Sequence, residues 1–217
     1  MRRRTLVVAA ALGSVAASTA GAPELVDAAS RGDRATVQRL LAAGADLHAR
    51  DARGRNAVLA ATQGGHEDLA VWLIERGADI NAQDEIQDSA FLLAGARGHA
   101  RIVRAALAAG PDLRRVNRYG GTALIPACHY GHVETVRVLL ADGRVPVDHV
   151  NRLGWTALLE AVILGDGGPR HAEIVRLLLA HGADPGRADA QGVTPLAHAR
   201  QRGQAQVVAL LVAAGAR

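Results

Sequence analysis

Nine histidines, the single cysteine Cys128 and the carboxylate of Glu160 are the side chains best suited to acid–base work, metal ligation or nucleophilic attack. Their spacing does not assemble any of these. There is no His-Glu-x-x-His to set two imidazoles and a base on one helical face, no Gly-x-Ser-x-Gly elbow, no phosphate loop and no dinucleotide fingerprint. One cysteine excludes an intrachain disulfide and a cysteine-based zinc site, and within a helix it reads as a small core residue. Three histidines follow glycine directly, as Gly65-His66, Gly98-His99 and Gly131-His132, without the convergent partners a metal ion needs. The segment Asp166-Gly167-Gly168 has only the superficial look of an ion or phosphate loop and reads as a solvent-exposed insertion that lengthens a turn between helices. No residue is assigned a catalytic role, the chain is not read as an enzyme, and no cofactor is expected.

The elements that carry these residues follow from periodicity. Gly44, Gly77, Gly110, Gly143, Gly182 and Gly215 each close an apolar helical segment, at spacings of 33, 33, 33, 39 and 33 residues. A second series, Gly32, Gly65, Gly98, Gly131, Gly165 and Gly203, lies between two short helical patterns inside each unit. Val136, Leu139 and Leu140 fall at i, i+3 and i+4 and so share one helical face. A single unit cannot bury such a face alone, so neighbours must stack on it. With 49% hydrophobic but only 2% aromatic residues, the core of the stack is aliphatic, built from Leu, Val and Ala, which favours helices throughout. Trp72, in the second helix of its unit, reads as a packing residue.

Two helices per unit of 33 residues resemble the ankyrin repeat. The local motifs agree: Gly65-His66-Glu67, Gly131-His132-Val133-Glu134, Glu173-Ile174-Val175-Arg176-Leu177-Leu178, Gly77-Ala78-Asp79, Gly182-Ala183-Asp184 and Thr194-Pro195-Leu196. The resemblance implies an all-α solenoid of about six helix-turn-helix repeats with short hairpin loops, over about 22–50, 51–83, 84–116, 117–150, 151–188 and 189–217. It also implies that His66, His99, His132 and His171 hold the family's Gly-His position, where the imidazole helps start the second helix. The histidine of the family's Thr-Pro-Leu-His motif is replaced by Leu59, Leu92, Ile125, Leu159 and Ala197. One extra residue near Val145-Pro146-Val147 and five between Gly165 and Glu173 interrupt the period.

Ahead of the repeats, Arg2-Arg3-Arg4, an apolar run from Leu6 to Ala17 and the small residues Ser18-Thr19-Ala20 have the layout of a secretory signal peptide over residues 1–20, with some likeness to a twin-arginine leader. The expected mature chain, 21–217, is exported to the periplasm or the exterior and has no membrane span. Losing three Arg changes 25 basic residues to 22 against 21 acidic ones, so the formal charge falls from +4 to +1 and no basic face for nucleic acid remains.

Function is then expected to be recognition of another protein by a chain that is itself monomeric. The resemblance places the binding surface at repeat positions two, three, five, thirteen and fourteen. From Asn117 these are Arg118, Tyr119, Gly121, His129 and Tyr130; from Asn151 they are Arg152, Leu153, Trp155, Ile163 and Leu164. Both tyrosines and one of the two tryptophans fall on this surface. At the tenth position, where the family carries Leu, stand Pro126, Glu160 and His198. Two accounts fit them: solvated or mutually hydrogen-bonded side chains at the groove edge, or a small polar pocket with His129 that holds a ligand. The second account leads to the alternative function, a small-ligand or cofactor (metal or haem) carrier accessory to an exported enzyme; some exported bacterial ankyrin proteins are associated with catalases.

Overall fold

The computed structural model describes residues 22–217, and the leader pattern over 1–20 lies outside the described residues. Twelve helices follow one another in pairs. They are α1 (Ala22–Ser30) and α2 (Arg34–Ala42), α3 (Ala57–Gln63) and α4 (Glu67–Ile74), α5 (Ala90–Arg97) and α6 (Ala100–Ala108), α7 (Leu124–His129) and α8 (Val133–Ala141), α9 (Ala157–Ile163) and α10 (Pro169–Ala180), and α11 (Pro195–Gln201) and α12 (Ala205–Ala213). No strand occurs among the described residues. The six expected repeats are thus six helix pairs.

The first helices stack into one layer and the second helices into another. Burial explains why the two read differently in sequence. In α3, every residue from Ala57 to Thr62 is buried, and in α9 every residue from Ala157 to Val162, because each such helix has neighbours before, after and beside it. The second helix buries only a stripe: Thr135, Val136, Leu139 and Leu140 in α8. Alanine at the contacts lets first helices approach closely, and at Gly95 a Cβ would collide with the Ala123 carbonyl of the next repeat.

Each repeat from the second onward opens on an Asx turn. The Oδ1 of Asp51, Asp84, Asn117, Asn151 and Asp189 accepts from the backbone N–H two and four residues on, at 2.9 to 3.1 Å. The fourth residue of the turn has positive φ and is glycine at Gly54, Gly120, Gly154 and Gly192, but Gln87 at φ 62° in the third repeat. First helices then start on the side chains of Asn56, Ser89, Thr156 and Thr194, which accept from the N–H of Leu59, Leu92, Leu159 and Ala197 at 3.0 to 3.3 Å. The helix caps therefore form without the family's histidine.

Two sequence expectations are corrected. The Gly-His imidazoles make no capping bond to their own helix: His66, His99 and His132 are N-cap residues without a side-chain cap bond. Instead, His66 Nε2 lies 3.0 Å from the Ser30 carbonyl, His132 Nε2 3.2 Å from that of Ala96, and His171 Nε2 2.9 Å from that of His129, all in the preceding repeat. Gln204 does the same in the last repeat, donating to the Val162 carbonyl at 3.0 Å. His99 turns to Glu67 Oε1 at 3.0 Å. Secondly, the five-residue insertion lengthens a helix as well as a turn. Pro169, pre-set for a first helical position, starts α10, which runs 12 residues where other second helices run 8 or 9. Trp72 packs against the core as expected, at its rim, with the Arg76 guanidinium 3.7 Å and that of Arg34 5.3 Å from its ring centre.

Candidate functional site

Hairpin tips and the C-terminal ends of the first helices enclose a cleft of about 950 Å³ centred on the fourth repeat. Its position follows from the repeat geometry: the tip carries positions two to five, and the first helix brings positions thirteen and fourteen alongside. All five residues expected from the fourth repeat line it, namely Arg118, Tyr119, Gly121, His129 and Tyr130. From the fifth repeat, Leu153, Glu160 and Leu164 do so, whereas Arg152, Trp155 and Ile163 are outside the lining. Arg152 instead joins two tips, its backbone N–H donating to the Tyr119 carbonyl at 3.0 Å and its guanidinium to the Arg118 carbonyl at 2.6 Å. The Trp155 backbone N–H closes the Asn151 turn, and its side chain is half-buried.

The cleft extends the other way, into the third repeat, through Ile86, Asp88, Leu93, Ala96 and Arg97. Sequence reasoning missed these, although counting positions three, five, thirteen and fourteen from Asp84 gives Ile86, Asp88, Ala96 and Arg97. Aromatic residues drew attention to the two repeats that follow. Five of the seven exposed large hydrophobic side chains among the described residues line this cleft: Ile86 (45% exposed), Tyr119 (57%), Tyr130 (55%), Leu153 (54%) and Leu164 (42%).

Both arginines that line it are engaged. The Arg118 guanidinium lies 4.8 Å from the Tyr119 ring centre and donates to Asp88 Oδ2 at 3.4 Å; that of Arg97 donates to the Gln63 carbonyl at 3.3 Å. Burial raises the Asp88 carboxyl above its ordinary range despite Arg118. The rings of His129 and Tyr130 stack at 4.2 Å. Burial, and secondarily His171, pushes the His129 imidazole down toward its neutral form.

The tenth position behaves differently in each of the last three repeats. In every repeat from the second onward but the fourth its backbone N–H donates to the carbonyl of the helix-starting residue, as in Ala60 to Asn56, Leu93 to Ser89, Glu160 to Thr156 and His198 to Thr194. Pro126 has no N–H, so Thr122 loses that partner, α7 begins only at Leu124, and the buried Thr122 hydroxyl has no hydrogen-bond partner. Glu160 is 6% exposed; its Oε1 accepts from Asn151 Nδ2 at 2.9 Å, and its Oε2 lies 3.7 Å from His129 Nδ1. Burial pushes its carboxyl up to about 7, against the opposing bond from Asn151. His198 is outside the cleft lining, its Nε2 2.7 Å from Asp189 Oδ2. That bond first, and the Val193 amide next, hold the Asp189 carboxyl below the usual range. Glu160 and His129 thus share a site, and His198 is paired within its own repeat. Cys128 is fully buried behind them, and burial, reinforced by Glu160, keeps its thiol protonated. Among the described residues no three His, Cys, Asp or Glu side chains converge to hold a metal ion, and no helix is long and apolar enough to cross a membrane.

Comparison with known proteins agrees with this architecture. A family model described as ankyrin repeats (3 copies) matches residues 25–105, 59–148, 90–189 and 144–217. An ankyrin repeat domain from Acinetobacter baumannii AYE, solved as a crystal structure, is 51% identical, with a TM-score of 0.85 over 89% of this chain and 98% of that one. The crystal structure of the ankyrin repeat domain of Bcl-3, a member of the IkappaB protein family, is 28% identical, with a TM-score of 0.77 over 89% of this chain and 86% of that one. The ankyrin repeat protein YahD of Escherichia coli strain K12 is 51% identical over 72 residues, which are 33% of this chain and 36% of YahD, so the match spans about a third of that relative. The chain belongs to the ankyrin-repeat family, whose members are generally non-catalytic scaffolds for protein–protein interaction.

Proposed function

We propose that the chain binds another protein in the cleft of repeats three to five, with Tyr119, Tyr130 and Leu153 as its principal contacts and Arg118 at its edge. The observation that carries this reading is the gathering of five of the seven exposed large hydrophobic side chains into one concavity, in a chain with 2% aromatic residues. An apolar patch of this kind rimmed by charge is stabilised by a covering partner, and tyrosine and arginine are the residues that dominate such contacts. The proposal also takes the chain to act outside the cytoplasm, on the leader pattern of residues 1–20.

Cross-linking in the native compartment, followed by identification of the captured polypeptide, is the test. Tyr130→Ala is expected to weaken the purified pair at least about tenfold, since losing a central aromatic contact removes roughly 2 kcal/mol, while leaving the melting temperature unchanged. A variant that melts lower but binds as before would show that these tyrosines serve the scaffold instead. Purified protein that carries colour or stoichiometric metal and retains no polypeptide would favour a ligand carrier.

A further inference from the structure

The fold does not need Glu160. Its position is filled by Ala60 and Leu93 in the second and third repeats, which stack by the same rules. A buried carboxyl with only part of its hydrogen-bonding capacity used is a net burden on stability. One oxygen takes the Asn151 amide, and the other, Oε2, has His129 Nδ1 at 3.7 Å, beyond hydrogen-bond reach. The cleft's own cations face elsewhere, Arg118 toward Asp88 and Arg97 toward the Gln63 carbonyl. The site therefore holds an acceptor without a donor, in a cleft that Pro126 and Leu164 also line.

We infer that Glu160 anchors an arginine side chain of the bound protein, whose guanidinium donates to the free Oε2 while its stem lies along the apolar wall beside Tyr130. This rests on the cleft being the protein-binding surface. A guanidinium suits the place better than an ammonium, because it is planar, less strongly hydrated and able to fork onto a carboxylate while stacking on an aromatic face. Ionisation is coupled to binding, since a carboxyl near neutrality becomes fully ionised beside a fixed cation. The other groups around it do not supply that charge: Cys128 is neutral, His129 is driven toward neutrality by burial and His171, and Asp88 takes up Arg118.

The probes are N-acetyl-arginine amide and its uncharged isostere N-acetyl-citrulline amide, titrated into the full chain and followed by amide chemical shifts. The arginine compound is expected to shift the signals of Asn151, Glu160 and His129, and the citrulline compound is not. Affinity should rise about tenfold from pH 6 to pH 8, the ratio of ionised fractions for a group titrating near 7, and Glu160→Gln should remove both the affinity and its pH dependence. Equal binding of the two probes, or binding unaltered by Glu160→Gln in a variant whose spectrum shows it folded, overturns the inference. In the captured complex the two ideas separate: loss with Tyr130→Ala but not with Glu160→Gln leaves the binding surface standing and removes the arginine anchor.

Discussion

Replacing Glu160 by Gln should stabilise the protein at pH 8 and have little effect near pH 4. The unfolded carboxyl titrates near 4.5 and the folded one near 7, so the folded state holds its proton more tightly. Stability contributed by that proton is fully present below pH 4.5 and is lost as pH rises through 7. The full difference, 2.5 units, is about 3.4 kcal/mol at 1.36 kcal/mol per unit. Because Glu160 lines an open cleft where water and counter-ions screen its charge, about 2 kcal/mol is the working figure. Glutamine keeps the shape and the acceptor for Asn151 without ionising. For a domain of this size, the gain corresponds to a melting point raised by about 4 to 8 °C at pH 8. Thermal melts of both proteins from pH 4 to pH 8 measure it. A wild-type minus variant difference that stays constant across this range would refute the argument, because a pH-independent effect is packing rather than ionisation.

Gln87→Gly should stabilise the chain by about 0.5 to 1 kcal/mol: relief of the left-handed backbone gives 1 to 2, and the freer unfolded chain takes back part; a lower denaturant midpoint would contradict it. Pro126→Leu restores an N–H for the Thr122 carbonyl, so helix α7 should lengthen toward Ala123 and stability rise by about 1 to 3 kcal/mol, read by far-ultraviolet dichroism and melting. The exported protein should begin near Gly21, and a mass that retains Met1 to Arg4 would refute the leader.

The stack was legible in the sequence because the same glycines and the same helical stripe return every 33 residues, and stacking requires that repetition. What escaped was contact between repeats. The place of His66 beside Gly65 suggests a role in the helix it precedes, whereas its ring bonds Ser30, 36 residues earlier. Likewise Gly167 and Gly168 suggested a loop, and it was Pro169 that decided the start of a helix. In the cleft, every position counted from the fourth repeat lines the cavity. From the fifth only Leu153 and Leu164 do, and Arg152 is spent bridging two tips.

The bonds from His66, His132, His171 and Gln204 to the repeat before them all run in one direction. At these four junctions a unit offers a carbonyl to its successor and a side-chain ring or amide to its predecessor, so the array has a head and a tail, like a polymer of asymmetric monomers. Duplicating a whole repeat of this kind preserves the carbonyl junctions, since the new copy receives on one side and gives on the other; the third repeat, whose His99 bonds Glu67 instead, is the exception. A cut within a repeat breaks two of them, which makes the complete repeat the natural quantum in which this chain lengthens or shortens.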